Sequence, residues 1–265
     1  MKILHYCHQG LDEYYRAIGL RDTWLYLGIQ DIKLRYRRSI IGPWWVTIST
    51  AIMILALGVL WSKIFVTDTK TYMPFFAVGY VIWTWISAQI SDATSVFLQF
   101  ENIIKQTNLP FPIYLFRLAI RNLIILTHNF VVVILVIFLV GQGLNENFIY
   151  SIPAILLLQI MLVMLCTCIA IFCSRYRDMG QVIMVILQVA FFFSPILWQP
   201  NSLKGHEELI NFNPIFHWIE IIRQPLLGNL ASSDSWNYVL MNTFCIFLLT
   251  IYLLGKSKLK IAVWL

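Results

Sequence analysis

Charge is what this sequence has least of. Asp, Glu, Lys and Arg make up 12% of its 265 residues, against 59% hydrophobic and 15% aromatic. A soluble domain carries about twice that charged fraction, so a shortage over the whole length excludes a soluble protein with one anchor and indicates an integral membrane protein. The net charge of +6 does not point to nucleic acid, because the basic residues gather at the ends of apolar runs. Cysteine is also sparse. The five are Cys7, Cys166, Cys168, Cys173 and Cys245, an odd number without small-domain spacing, which argues against a disulfide framework. On a helix, positions 166 and 168 point to nearly opposite faces and no histidine is near, so these cysteines read as small packing residues and not as a metal site.

Catalytic signatures are missing too. The chain has no D-x-D pair, no H-x-x-x-x-D, no H-E-x-x-H and no G-x-S-x-G. Gly255-Lys256-Ser257 has the ending of a phosphate loop, but Thr250 stands where the leading glycine is required and the stretch closes an apolar run instead of following a strand. The chain is therefore expected to be no enzyme and to bind no cofactor. Within the apolar runs the only ionisable group well inside is His128, read as a hydrogen-bonded packing residue. Asp92 and Arg121 lie at run ends. A carrier coupled to protons or ions would place several such groups in its spans, so energy for transport must come from elsewhere.

What is abundant is uninterrupted apolar sequence. Six uncharged runs, 39–62, 71–91, 122–145, 147–174, 179–203 and 235–255, have lengths of 24, 21, 24, 28, 25 and 21 residues. Each reaches the roughly 20 residues a helix needs to cross a bilayer. Placing the N-terminus inside puts 15 of the 19 lysines and arginines on the inner side, which the positive-inside rule requires. The expectation is an all-α integral membrane protein forming one domain, 1–265. Its six transmembrane helices lie at about 42–64, 71–92, 118–141, 149–173, 179–199 and 235–255, with both termini cytoplasmic. The first 30 residues contain Asp12, Glu13, Arg16, Arg21 and Asp22 and no continuous apolar core, so the first span is expected to serve as insertion signal.

Residues 1–38 form the cytoplasmic segment ahead of that span. Leu11, Tyr14, Ile18, Leu25, Ile29, Ile32 and Tyr36 recur at helical spacing among charged residues, which predicts one or two amphipathic helices along the membrane surface. They serve as a mere anchor or as a dock for a cytosolic partner. The segment ends in a collar of Lys33, Arg35, Arg37 and Arg38 directly against the first span, with Gly42-Pro43 marking the break. The collar sets topology, and it also sits where an anionic lipid headgroup or phosphate would lie, an attraction worth about 1 kcal/mol per basic residue.

Two connections carry more than connection requires. In the inner loop 99–121, Glu101, Asn102, Ile103, Ile104 and Lys105 suggest a short amphipathic helix that Pro110 and Pro112 end. It reads either as a surface turn or as a transverse helix that a motor domain could grip. The outer stretch 198–234 contains an apolar, aromatic segment too short to span, with Asn213, Pro214, His217, Glu220 and Arg223 in or beside it. Such a segment is re-entrant or interfacial, and over a pore it would be a gate. Aromatic residues form a third feature. Tyr72, Phe76, Tyr80 and Trp83 make one stripe along the second run, with Trp85, Phe191 and Trp198 added to it. Packing and interfacial belts account for part of it. Tyr80, Trp83 and Trp85 fall mid-span, where a belt has no reason to be, and aromatic faces suit the apolar faces of sugar rings.

These stretches also carry a resemblance. DIKLRYRRSIIGPWW at 31–45, NIIKQTNLPFP at 102–112, RYRDMGQV at 175–182, LQVAFFFSPILW at 187–198 and NPIFHWIEIIRQPLLGN at 213–229 resemble, in order, segments of the membrane subunits of ABC-2 type polysaccharide exporters, closest to O-antigen exporters. Ile41 stands where that pattern usually has leucine. The resemblance implies a homodimeric pore in the bacterial inner membrane that pairs with two copies of a cytosolic ATPase carrying the ATP and magnesium. A coupling helix lies at about 99–112, and periplasmic re-entrant gate helices lie at about 203–230. Aromatic residues line the channel for a lipid-linked polysaccharide. Closure of the ATPase would push the coupling helix and rearrange spans one, two and five. Capsular polysaccharide, teichoic acid and small drugs or lipids are alternative cargoes on the same architecture. A membrane enzyme of polysaccharide assembly is the rival of a different class.

Overall fold

In the computed structural model, residues 2–42, 44–140, 143, 145–202 and 207–265 are described, and among them the chain is helical with no strand. Pro43, Gly141 and residues 203–206, on which the expected break, the end of the third span and the start of the gate loop fall, lie outside the described residues.

Five helices are long and apolar enough to cross a membrane: α3 (Trp44–Ile64), α4 (Thr69–Ala93), α7 (Pro112–Leu139), α8 (Ser151–Arg175, after a 3-10 turn at Glu146–Tyr150) and α12 (Ser233–Trp264). Between α8 and α12, the run expected to be the fifth span gives α9 (Met179–Phe193), only 15 residues. At 1.5 Å per residue it covers about 22 Å, short of a hydrocarbon core of about 30 Å. The cause is Pro195. It forces Ser194 into extended backbone, at ψ 146°, and ends the helix six residues before the expected boundary at 199.

Other boundaries move for the opposite reason, because charged side chains find partners. The third span was expected from 118, yet α7 begins at Pro112, the favoured first helical position. Arg117 and Arg121 are accommodated within it by Asp31 of α2 (Arg21–Arg35) and Asp92 of α4, with Arg117 Nε donating to Asp31 at 2.6 Å and Arg121 Nη2 to Asp92 at 2.6 Å. Likewise α12 passes the expected end at 255 and runs through Lys256, Lys258 and Lys260 to Trp264, because Lys258 pairs with Glu13 at 2.7 Å and Lys256 reaches out over the Tyr252 ring. The inner loop holds α5 (Val96–Gln99) and a six-residue α6 (Glu101–Gln106). Thr107 is extended, so the helix is shorter than the expected 99–112.

The first helix, α1 (Lys2–Gly19), is amphipathic, and the expected apolar stripe divides between its two sides. Leu11 and Ile18 are exposed, and the packed side is Gly10, Glu13, Tyr14 and Ala17. That side lies on α12 at a crossing of two glycines. A Cβ at Gly10 would stand 2.0 Å from the Ile251 carbonyl oxygen, and one at Gly255 would stand 1.9 Å from that of Tyr6. Backbone contact of this kind admits only glycine. Both chain termini therefore lie at one end of the bundle. At the other end, α11 (Pro214–Leu226) packs among α4, α8 and α12, and α10 (Glu207–Asn211) packs on α11.

Candidate functional site

The centre of the molecule is α4. Its apolar residues are buried almost along its whole length, and it separates two cavities. The larger, about 500 Å³, is an open groove between α3, α4 and α9. Tyr80, Trp83 and Phe191 form its aromatic wall, with ring centroids of Tyr80 and Phe191 6.5 Å apart and of Trp83 and Phe191 5.9 Å apart. Thr84, Ser87, Ser91 and Gln188 place hydroxyl and amide groups along the same groove. Aromatic faces beside hydroxyls and an amide can hold apolar ring faces and make exchangeable hydrogen bonds without fixing one ligand position.

The expected aromatic stripe divides. Tyr72 stacks on Phe76 and Phe76 lies against Tyr80, but Tyr72 and Phe76 are fully buried and lead into the groove without lining it. The Tyr72 hydroxyl donates to the Leu197 carbonyl, which ties the break after α9 to the start of α4. Trp198 donates its indole N–H to the Phe192 carbonyl at 3.1 Å and so caps the end of α9. Trp85 faces the second cavity.

That second cavity, about 240 Å³, lies between α2, α3, α4 and α7. Its lining is mixed: Arg35, Thr50, Thr84, Asp92, Asn122 and Asn129 stand among Val46, Trp85, Ala88, Ile125 and Leu126. Sequence reading did not bring these residues together. The signal was present in α7, where Asn122 and Asn129 sit seven residues apart on one face of an otherwise apolar helix. Of the basic collar, Arg35 reaches this cavity, while Lys33, Arg37 and Arg38 are exposed.

The end bearing the termini is held by ionic links between elements. Glu13 is buried on α1. Its Oε1 meets Arg16 at 3.0 Å and Lys258 of α12 at 2.7 Å, and its Oε2 accepts the Phe111 N–H at 3.1 Å. Arg16 also donates to the Asn108 carbonyl at 3.3 Å. Beside Glu13, Tyr14 hydrogen-bonds Thr167 of α8 at 2.7 Å, and burial pushes its phenol above the ordinary range. One acid thus joins α1, α12 and the chain between α6 and α7. On α6, Ile104 is buried, while Asn102, Ile103 and Lys105 are exposed. Lys105 donates to Glu101 at 2.6 Å and holds that carboxyl below its ordinary value. A small helix anchored by one side chain, and followed by a segment that Glu13 and Arg16 hold at Phe111 and Asn108, presents an exposed face of Asn102, Ile103 and Lys105.

At the far end, Asn213 caps α11 by accepting the Ile215 N–H at 3.0 Å, ahead of Pro214. His217 is buried between Ser235 at 2.9 Å and the Asn211 carbonyl at 2.8 Å. Arg223 is fully buried. It donates to Glu220 at 2.6 Å and to the Pro195 carbonyl at 2.8 Å, and its guanidinium lies 4.0 Å from the Phe75 ring centre. Of the expected gate residues, Arg223 and Asn213 therefore clasp the turn after α9, Asn213 through Ser194 at 3.0 Å. His128, on α7, hydrogen-bonds the Ile124 carbonyl at 2.7 Å within its own helix.

The profile of a family described as ABC-2 type transporter matches residues 23–227. The chain is similar to an O-antigen export system permease protein RfbA of Klebsiella pneumoniae, 19% identical over 242 residues that cover 88% of this chain and 91% of the relative. It is also similar to a protein of the same description from Myxococcus xanthus, 20% identical over 209 residues that cover 74% and 79%.

Proposed function

Because the chain belongs to the ABC-2 type transporter family, we propose that it is the membrane permease of an ATP-driven exporter of lipid-linked polysaccharide. Its cargo on this reading is O-antigen, as it is for the O-antigen export permeases that it resembles. The observation that carries the reading is the groove of Tyr80, Trp83 and Phe191 beside Thr84, Ser87, Ser91 and Gln188. A polymer of repeating rings slides best over contacts that do not fix position, and aromatic planes with hydroxyls offer them.

Two copies side by side close the groove into a path, and α3 and α9 carry the exposed apolar residues on either side of it, among them Ile52, Leu55, Val185 and Val189. Both termini lie at one end, which requires an even number of crossings. We therefore count α9 with residues 194–198 as a sixth crossing, thin but complete, and place the basic end in the cytoplasm of a bacterium, beneath the inner membrane. The free face of α6 is the contact for a cytosolic ATPase that holds ATP and magnesium. Movement of α6 passes through Glu13 and Arg16 to α1 and α12. At the other end, α10 and α11 form the periplasmic gate, with Arg223 tying it to the end of α9.

Replacing Ser87 by tryptophan fills the groove with bulk while leaving the aromatic wall intact. In cells that depend on this chain for surface polymer, export is expected to fall at least about tenfold with the protein's membrane level unchanged, and intracellular lipid-linked polymer is expected to accumulate. Export at the original level by Ser87→Trp would remove the groove from the path. Replacing Asn102, Ile103 and Lys105 by glycine is expected to release the ATPase, and retained ATPase association would remove the coupling role of α6.

A further inference from the structure

Where α8 and α12 end, on the side of the chain termini, they enclose a cavity of about 180 Å³ that the export reading does not use. Three of its lining side chains are cations, Arg175, Lys256 and Lys260, and no carboxylate among the described residues lines it. None of the three forms an ion pair among the described residues. The contrast lies within α12 itself. Lys258 pairs with the buried Glu13 of α1 at 2.7 Å, whereas Lys256 and Lys260, four residues apart on another face, line the cavity together with Arg175 of α8. Like charges at that spacing repel and weaken a helix. An anion between the two helices would offset that repulsion.

The cations are also held in place. Arg175 is the last residue of α8, and its guanidinium lies 5.2 Å from the Tyr176 ring centre and 5.4 Å from that of Trp264 on α12. The Lys256 ammonium lies 5.4 Å from the Tyr252 ring centre. Rings at these distances attract a cation and limit where it stands, so the positive groups are arrayed before a ligand arrives. The rest of the wall is apolar. Ile171, Phe172 and Leu253 continue the cavity along the two helices, about one turn deeper, and Phe172 is exposed. A small soluble anion gains nothing from that apolar part. A lipid with an anionic head uses both parts, its phosphate among the cations and an acyl chain along Phe172. Tyr176 and Trp264 flank Arg175, as aromatic residues do at a membrane–water boundary.

We propose that the cavity between the ends of α8 and α12 binds one anionic phospholipid of the membrane, a phosphodiester of the phosphatidylglycerol type. Arg175, Lys256 and Lys260 hold its phosphate, and an acyl chain lies along Phe172 and Leu253. Basic pockets between membrane helices are suited to such headgroups. A zwitterionic head brings its own ammonium and gains less from three cations. The leaflet, cytoplasmic, rests on the topology of the export reading, whereas the preference for an anionic head does not. The site shares no residue with the polymer groove. Bound there, the lipid joins α8 to α12 just before the turn at 176–178 that leads into α9. It is a component of the membrane that the protein retains, and not a cargo.

The test uses the full chain in phosphatidylcholine nanodiscs that contain a small fraction of a photoactivatable lipid with a diazirine on its acyl chain. Two probes are compared, phosphatidylglycerol and phosphatidylcholine, and adducts are located by peptide mass spectrometry. The phosphatidylglycerol probe is expected to label the peptides carrying Phe172 and Leu253 at least about tenfold more than the phosphatidylcholine probe. A basic residue beside an anionic head is worth about fivefold in affinity. Arg175→Gln and Lys256→Gln change exposed side chains, and each is expected to raise the half-saturating fraction of the phosphatidylglycerol probe about fivefold. Lys256→Arg keeps the charge and is expected to leave it unchanged. Equal labelling by the two probes overturns the proposal and marks an ordinary lipid-facing surface. Displacement of the probe by inorganic phosphate overturns it in favour of a soluble phosphate site. Labelling that survives both Arg175→Gln and Lys256→Gln overturns it as well, and loss of ATPase association in those variants would then assign the cations to the partner. None of these readouts needs export, so the proposal and the export reading, tested by Ser87→Trp, stand or fall separately.

Discussion

Helices α4 and α9 form two walls of the same groove, and they are held in opposite ways. Helix α4 is packed on every side but the one that faces the groove: Phe76, Val81, Ile82 and Ile86 are buried, and α3, α7, α8 and α11 lie against it. Helix α9 has no buried residue among its 15, and Val185, Ile186, Val189 and Phe192 stand well exposed. It is secured at its end, where Tyr72 and Arg223 grip the carbonyls of Leu197 and Pro195. The difference means that one wall of the groove is fixed while the other is hung from its far end.

The grip at the end of α9 is the point at which that contrast breaks most readily. Arg223→Leu leaves Glu220 buried without its cation and Pro195 without its donor. Removing one partner of such a pair costs about 3–5 kcal/mol, so the melting temperature of the detergent-solubilised protein should fall sharply. A smaller loss is expected from Ile86→Ala in α4. Core truncations of this size cost about 2–5 kcal/mol in water. Inside a membrane the transfer part is missing because lipid is as apolar as the side chain, so the low end of that range applies, read by the same melting measurement. Tyr72→Phe removes one buried hydrogen bond and leaves the Leu197 carbonyl unmet, for about 1–3 kcal/mol. Proteolysis should then cut first in the segment after α9. The least effect is expected from Val185→Ala on the free side of α9, below about 0.5 kcal/mol. A Val185→Ala loss as large as that of Ile86→Ala would show that α9 is as tightly packed as α4 and would erase the distinction.

Much of this was readable beforehand, and the failures have a common origin. The helices α3, α4, α7, α8 and α12 follow from runs that lack charge, since an unpaired charge is too costly in hydrocarbon to sit mid-run. Asn213 and Pro214, read from the sequence as part of a gate, prove to be the N-cap and first residue of α11. Charge as a boundary marker failed at Arg117, Arg121 and Lys256, because Asp31 and Asp92 pair the first two and the third reaches outward over Tyr252. Of the candidate site, Tyr80, Trp83 and Phe191 were identified and do meet across the groove. Trp85 was grouped with them, but it is two residues from Trp83 and a helix turns about 200° in that distance. The burial of Glu13 left no trace in α1, where it reads as one more polar residue beside Asp12.

The sequence alone determined that this chain lives in a membrane and where its long helices run. Hydrophobicity and helical period are local properties, written in successive side chains. Tertiary structure alone decided that α9 is loosely held, that Glu13 is a junction and that Trp85 and Asn129 share a cavity. Each of those depends on what a distant helix brings alongside: α12 and the chain before α7 for Glu13, and α7 against α4 for the cavity. A polar side chain has no fixed meaning until its partner, or the want of one, is in place.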